Sequence, residues 1–209
     1  MTNIKICGLS DTHLLEQVCT LDIHFVGFVH HPTSVRHVDI GPLAELVNAT
    51  PEPIKSVVVV VDPSDQTLAD LFDACSPDYI QLHGSESPDR VAAIKATYRT
   101  NIIKAIAVAS EADIAGAEAY VNVADMILFD TKSPTGTSGG SGKPFDWSLL
   151  SAYPSSKPWM LSGGLSADNV QQAIATTHAP AVDASSHLET PVSSGRKDIE
   201  KIRAFVSSI

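Results

Sequence analysis

Val57-Val58-Val59-Val60-Val61 runs into Asp62-Pro63 and then into a helix-like segment from Ser64 to Ala74. Consecutive β-branched residues with no polar alternation fit a strand buried on both faces, as in a parallel sheet covered on both sides. Such a strand needs further strand–helix units around it. Upstream lie Ile4-Lys5-Ile6-Cys7 with a helix from Thr12 to Thr20, and His24 to Val29 with a helix from Ile40 to Asn48. Downstream, Tyr79 to Leu82 precedes a helix from Pro88 to Thr97, and Ile102 to Ile106 precedes one from Glu111 to Ala119. Met126 to Phe129 precedes a long Gly/Ser/Thr-rich loop and a short helix near Trp147. Trp159 to Leu161 leads to a helix from Ala167 to Ala175, and Ala181 to Ala184 to a last helix from about Arg196 to Val206.

Eight strand–helix units, repeating at intervals of roughly 20 to 30 residues, predict an α/β chain closed into a (β/α)8 TIM barrel, and the Gly163-Gly164 and Ser185-Ser186 turns after the last two runs make it the phosphate-binding type. A doubly wound α/β sheet with extra strands is the competing architecture. No linker breaks the pattern, and 209 residues suit one large core better than two. Residues 1–209 are therefore expected to form one barrel domain.

Apolar residues at 44 % and charged residues at 18 % exclude a disordered chain. A formal net charge of -10 disfavours nucleic acid and anionic membranes as partners. It leaves room for an anionic small molecule, because a few local N–H donors can hold one phosphate. No apolar run reaches the length of a membrane span, and no secretory leader is legible. Cys7, Cys19 and Cys75 are odd in number and fit no zinc spacing, which favours free thiols and a cytoplasmic location. His30 and His31 are adjacent, but no cysteine or carboxylate completes a metal set. The expectation is a small-molecule substrate with no metal and no cofactor, and with either a monomer or a homodimer.

In such barrels the chemistry gathers where strands end. Cys7 closes the first run and reads either as a thiolate base or nucleophile or as a buried thiol. Asp130 closes Met126 to Phe129 and is either an acid–base group or a solvated loop opener. Asp62 and Asp183 hold comparable but weaker positions. His83, in Gln81-Leu82-His83-Gly84, can orient a catalytic group, touch substrate or satisfy a backbone carbonyl; we count it among the substrate-binding candidates. Ser162-Gly163-Gly164-Leu165 and Ala184-Ser185-Ser186 follow the seventh and eighth runs, where such barrels usually hold phosphate. Glycines there let the backbone approach and offer its N–H groups to a dianion. Gly139-Gly140-Ser141-Gly142-Lys143 lacks the spacing of a nucleotide-phosphate loop. A lid over the substrate suits the loop from Thr131 to Pro144 better.

Together these segments make the chain resemble the phosphoribosylanthranilate isomerase family. The resemblance is carried by Lys5-Ile6-Cys7-Gly8, Gly27-Phe28, Ser34 with Arg36, Gln81-Leu82-His83-Gly84 and Phe129-Asp130-Thr131-Lys132. It continues through Gly139 to Gly142, Phe145-Asp146-Trp147, Ser162-Gly163-Gly164-Leu165, Val182-Asp183 with Ser185-Ser186, and Lys197-Asp198. The resemblance implies an Amadori rearrangement of N-(5-phospho-β-D-ribosyl)anthranilate to 1-(o-carboxyphenylamino)-1-deoxyribulose 5-phosphate, on the route to tryptophan. It implies Cys7 as general base, Asp130 as general acid and Arg36 beside the anthranilate carboxylate. It also implies Gly163, Gly164 and Ser185 or Ser186 around the phosphate, and Asp183 near the sugar hydroxyls. Related phosphate-barrel isomerases use two aspartates, and cysteine at the first catalytic position sets this chain apart from them. Three departures stand out: Val35 where the family usually has proline, His187 where glycine is common, and a longer turn from Pro191 to Arg196.

Overall fold

The computed structural model describes residues 2–132, 145–153 and 157–209. Eight strands close into a barrel in chain order: β1 (Asn3–Cys7), β2 (Phe25–Val29), β3 (Lys55–Val60), β4 (Tyr79–Leu82), β5 (Asn101–Val108), β6 (Met126–Thr131), β7 (Trp159–Leu161) and β8 (Ala181–Ala184). Every neighbouring pair is parallel, and β8 returns to β1 with Lys5 level with Asp183. The barrel, not the open doubly wound sheet, is the architecture. The helices are α1 (Thr12–Val18), α2 (Ile40–Ala49), α3 (Asp65–Ala74), α4 (Pro88–Tyr98), α5 (Glu111–Gly116), α6 (Val170–Thr177) and α7 (Ile199–Ser207). The sixth connection carries a short 3-10 turn, Trp147–Leu150.

Side chains alternate across each strand, so the two faces separate two cores. The outward face packs Ile4, Ile6, Val58, Val60, Ile80 and Leu82 against the helices. The inward face fills the lower barrel with Phe25, Val57, Ile103, Met126, Leu128 and Met160. The same alternation continues upward on the inward face through Lys5 and Cys7, Gln81 and His83, Leu128 and Asp130, and Asp183 and Ser185. The valine run is thus buried on both sides, and the polar residues are concentrated at the C-terminal end of the barrel.

Local chemistry moves several helix ends from their sequence-based positions. The last helix begins at Ile199 because the Asp198 side chain accepts from Glu200 N and Lys201 N as its cap. Residues just before it are extended instead, with Lys197 bridged to Glu189. Helix α6 begins at Val170: Asn169 accepts from Ser166 N and donates to Gly164 O, stapling the preceding turn. Helix α5 stops at Gly116 and passes into a 3-10 turn, Ala117–Tyr120. Where sequence and structure agree, side-chain caps mark the starts, with Asp11 accepting from Leu14 N, Ser64 from Thr67 N and Ser87 from Arg90 N. Of the loop read as a lid, residues 133–144, including Gly139 to Lys143, lie outside the described residues.

Candidate active site

An open cavity of about 830 Å³, its mouth included, lies over the C-terminal ends of the strands. Cys7, Arg36, His83, Asp130, Gly163, Gly164, Asp183, Ser185 and Ser186 all line it. These nine residues therefore meet in one place, although the first and last are 179 positions apart. Asp62 does not line it; its carboxylate instead accepts from Ser85 N at 2.8 Å and pins the loop after β4.

Cys7 is the last residue of β1 and is 7 % exposed. Lys5, two residues earlier on the same inward face, is wholly buried beneath it. Lys5 Nζ donates to Gln81 Oε1 at 2.9 Å and to Asp183 Oδ1 at 3.0 Å, and its ammonium is near enough to Cys7 for the two charges to act on each other. Burial disfavours the Lys5 charge, but Asp183 and Cys7 outweigh it and hold the ammonium above its ordinary pKa. Burial pushes the Cys7 thiol up, and Asp183 adds to the rise. The ammonium groups of Lys5 and Lys197 oppose the shift without reversing it. Sequence reasoning supplied the thiol but not its buried lysine, because a lysine within an apolar run reads as a solvated residue.

Asp183 sits one layer deeper than Cys7. Its two oxygens are held by Lys5 and, at 3.1 Å, by Ser162 Oγ. On the far wall, Asp130 Oδ1 accepts from Thr131 N at 2.8 Å, and Oδ2 lies 3.2 Å from His83 Nε2. His83 thus stands beside Asp130 and not merely against the backbone.

Arg36 comes from the loop after β2. It donates through Nε and NH2 to the two oxygens of Glu189, a carboxylate with no solvent exposure. Glu189 also accepts from Lys197 Nζ at 2.5 Å and Gly195 N at 2.9 Å. Lys197 donates in turn to the carbonyl and hydroxyl of Ser185. Gly8, at φ +84, is needed here: a Cβ would lie 2.7 Å from Arg36 Cδ and 3.1 Å from Lys197 Nζ. Glu189 escaped sequence reading because an isolated Glu in a polar turn gives no pattern.

Gly163 and Gly164 follow β7 with φ of +91 and +67, a backbone region that favours glycine. Ser185 and Ser186 line the same cavity from the end of β8, the strand next to β7. Among the described residues, no group of three or more His, Cys, Asp or Glu side chains is arranged to hold a metal.

A closed parallel barrel with a polar cavity at its strand ends, glycine turns after β7 and serines after β8 defines a phosphate-binding (β/α)8-barrel of the small-molecule enzyme class. The family model described as N-(5'phosphoribosyl)anthranilate (PRA) isomerase matches residues 4–208. The chain belongs to that family. It is 46 % identical over 208 residues to the N-(5'-phosphoribosyl)anthranilate isomerase of Azorhizobium caulinodans, covering 99 % of this chain and 90 % of that protein. The phosphoribosyl anthranilate isomerase of Thermotoga maritima superposes with a TM-score of 0.89 at 33 % identity, over 100 % of this chain and 98 % of the other. A phosphoribosyl anthranilate isomerase solved in complex with reduced 1-(o-carboxyphenylamino)-1-deoxyribulose 5-phosphate gives a TM-score of 0.85 at 30 % identity, covering 100 % and 98 %.

Proposed function

We propose that this site performs the isomerase reaction of its family by general acid–base catalysis, with Cys7 as base and Asp130 as acid. The reaction is the Amadori rearrangement of N-(5-phospho-β-D-ribosyl)anthranilate to 1-(o-carboxyphenylamino)-1-deoxyribulose 5-phosphate, a step of tryptophan biosynthesis. The sugar must open before its C2 proton becomes acidic. Asp130 gives a proton to the furanose ring oxygen as the C1–O bond breaks, and the anilino nitrogen lone pair forms the C1=N iminium. Cys7 thiolate then removes the C2 proton, and the electron pair moves to give the enolamine. Tautomerisation delivers the C2 ketone; Cys7 then loses its proton to solvent and Asp130 takes one up, which restores both groups.

The observation that carries this reading is that Cys7 on β1 and Asp130 on β6 line one cavity from different walls. Arg36 keeps N–H groups beyond those given to Glu189, and a planar fork suits the anthranilate carboxylate. The backbone at Gly163, Gly164, Ser185 and Ser186 suits the phosphate, and Asp183 suits the sugar hydroxyls. All three cysteines are free thiols, which favours a reducing cytoplasm. No helix among the described residues is long and apolar enough to cross a membrane. The test is turnover of the phosphoribosyl substrate by Cys7→Ser and Asp130→Asn, with binding of the reduced product analogue measured in parallel. Retained binding with lost turnover supports the reading, and near-normal turnover by either variant overturns it.

A further inference from the structure

Lys5, Gln81, His83 and Asp130 form a continuous polar chain from β1 to β6. Lys5 Nζ lies 2.9 Å from Gln81 Oε1, and the other end of that amide, Nε2, lies 2.8 Å from His83 Nδ1. His83 Nε2 lies 3.2 Å from Asp130 Oδ2. Gln81 is 1 % exposed and Lys5 is wholly buried, and the polar atoms of both are held by protein partners. Gln81 and His83 are two residues apart at the end of β4, which puts both on its inward face.

The chemistry of the groups gives the chain a direction. An ammonium donates three hydrogen bonds and accepts none, so the Gln81 atom facing Lys5 has to be its carbonyl oxygen. The amide NH2 then faces His83. An amide NH2 only donates, so His83 Nδ1 has to accept and carries no proton. In the neutral ring the proton is therefore on Nε2, the nitrogen nearest Asp130.

We propose that Gln81 is a positioning residue of this site: anchored by Lys5, it fixes His83 as the Nε2–H tautomer and so presents a ring N–H to the Asp130 carboxyl group. Its catalytic consequence rests on the acid–base reading above. With His83 facing Oδ2 and the Thr131 N–H on Oδ1, each Asp130 oxygen keeps a lone pair for the proton delivered to substrate. The charged groups around the chain are Asp130 from β6, Asp183 from β8 on Lys5, and Arg36 from the loop after β2 across the cavity. One buried lysine thus lies beneath the base, two residues before it on β1, and orients the neighbour of the acid through a single amide.

Nitrogen-15 NMR of the histidine rings reads the tautomer directly. In the wild-type protein at neutral pH, His83 should show a bare Nδ1 and a protonated Nε2. Gln81→Glu keeps the size of the side chain and its bond to Lys5 but has no N–H for Nδ1. It should place a proton on Nδ1 and lower kcat by about tenfold or more, with a smaller change in KM. A protonated Nδ1 in neutral wild-type His83 overturns the proposal, as does a Gln81→Glu protein with wild-type tautomer and kcat. The wild-type spectrum decides even if the variant fails to fold. If Asp130→Asn stays active while the His83 tautomer is as assigned, the acid–base reading fails and the chain's polarity stands.

Discussion

Arg36 is clamped to Glu189 through two parallel hydrogen bonds, Nε to Oε1 at 2.6 Å and NH2 to Oε2 at 3.0 Å. The clamp fixes the plane of the guanidinium at the cavity wall. Lysine cannot reproduce that geometry, because its ammonium is a point charge on a flexible stem. Arg36→Lys should lower kcat/KM, and steady-state kinetics on the anthranilate substrate checks it. Unchanged kcat/KM would remove Arg36 from carboxylate binding.

Glu189→Gln should cost stability as well as activity. It removes the carboxylate facing Arg36 and Lys197 and leaves two buried cations with a neutral amide. Breaking a buried pair from one side typically costs about 3–5 kcal/mol, and retaining the amide should keep the loss towards the lower end. Chemical unfolding with a matched wild-type control measures it.

The same residue sets an acid limb of stability. Burial alone would raise the Glu189 pKa, but Arg36, Lys197 and the Gly195 N–H together hold it below the ordinary glutamate value. A depressed folded-state pKa contributes stability above the unfolded pKa and loses it as pH falls towards the folded one. Wild-type stability should therefore decline as pH drops below the usual glutamate range. The decline should be shallower in Glu189→Gln, and equal slopes in the two proteins would show that Glu189 is not responsible.

Cys7→Ser and Asp130→Asn should keep the fold and substrate binding while losing ~10²- to 10⁴-fold in kcat, the usual contribution of an acid–base group. Burial raises the Cys7 thiol, so the reactive thiolate is the minor form at neutral pH. The kcat/KM of the wild type should accordingly climb with pH through the neutral range and level off above the usual thiol range. Cys7→Ser should lose that limb. If Cys7→Ala turns over within about threefold of wild type, far inside the usual acid–base contribution, Cys7 is not the base.

Gly163 should tolerate no side chain. A Cβ there would overlap Thr131 Oγ1 and sit 2.7 Å from Thr131 N and 3.0 Å from Asp130 Oδ1, at a φ of +91. Gly163→Ala should therefore displace the end of β6 and lower kcat through Asp130. A bulky residue at Gly164 should instead raise KM more than it lowers kcat, since uniform phosphate binding is what it removes. Comparing the two kinetic patterns separates the roles, and a KM-only effect at Gly163 would contradict the contact with Asp130.

By itself the sequence determined the number and order of the strands, because apolar runs and helix caps are local signals. It also determined which residues stand at the strand ends, and nine of the residues it named line the cavity while Asp62 does not. It could not determine the partners. Lys5 lies in an apolar run and Glu189 in a polar turn, and neither position announces a buried charge. Only closure of the barrel brings Lys5 level with Asp183, and Glu189 against Arg36, across 178 and 153 positions of chain. Closure also decided the charge state of the site. The cost of burying Cys7 and the attraction of the two lysines come from atoms remote in sequence, and their balance depends on distances no local pattern encodes.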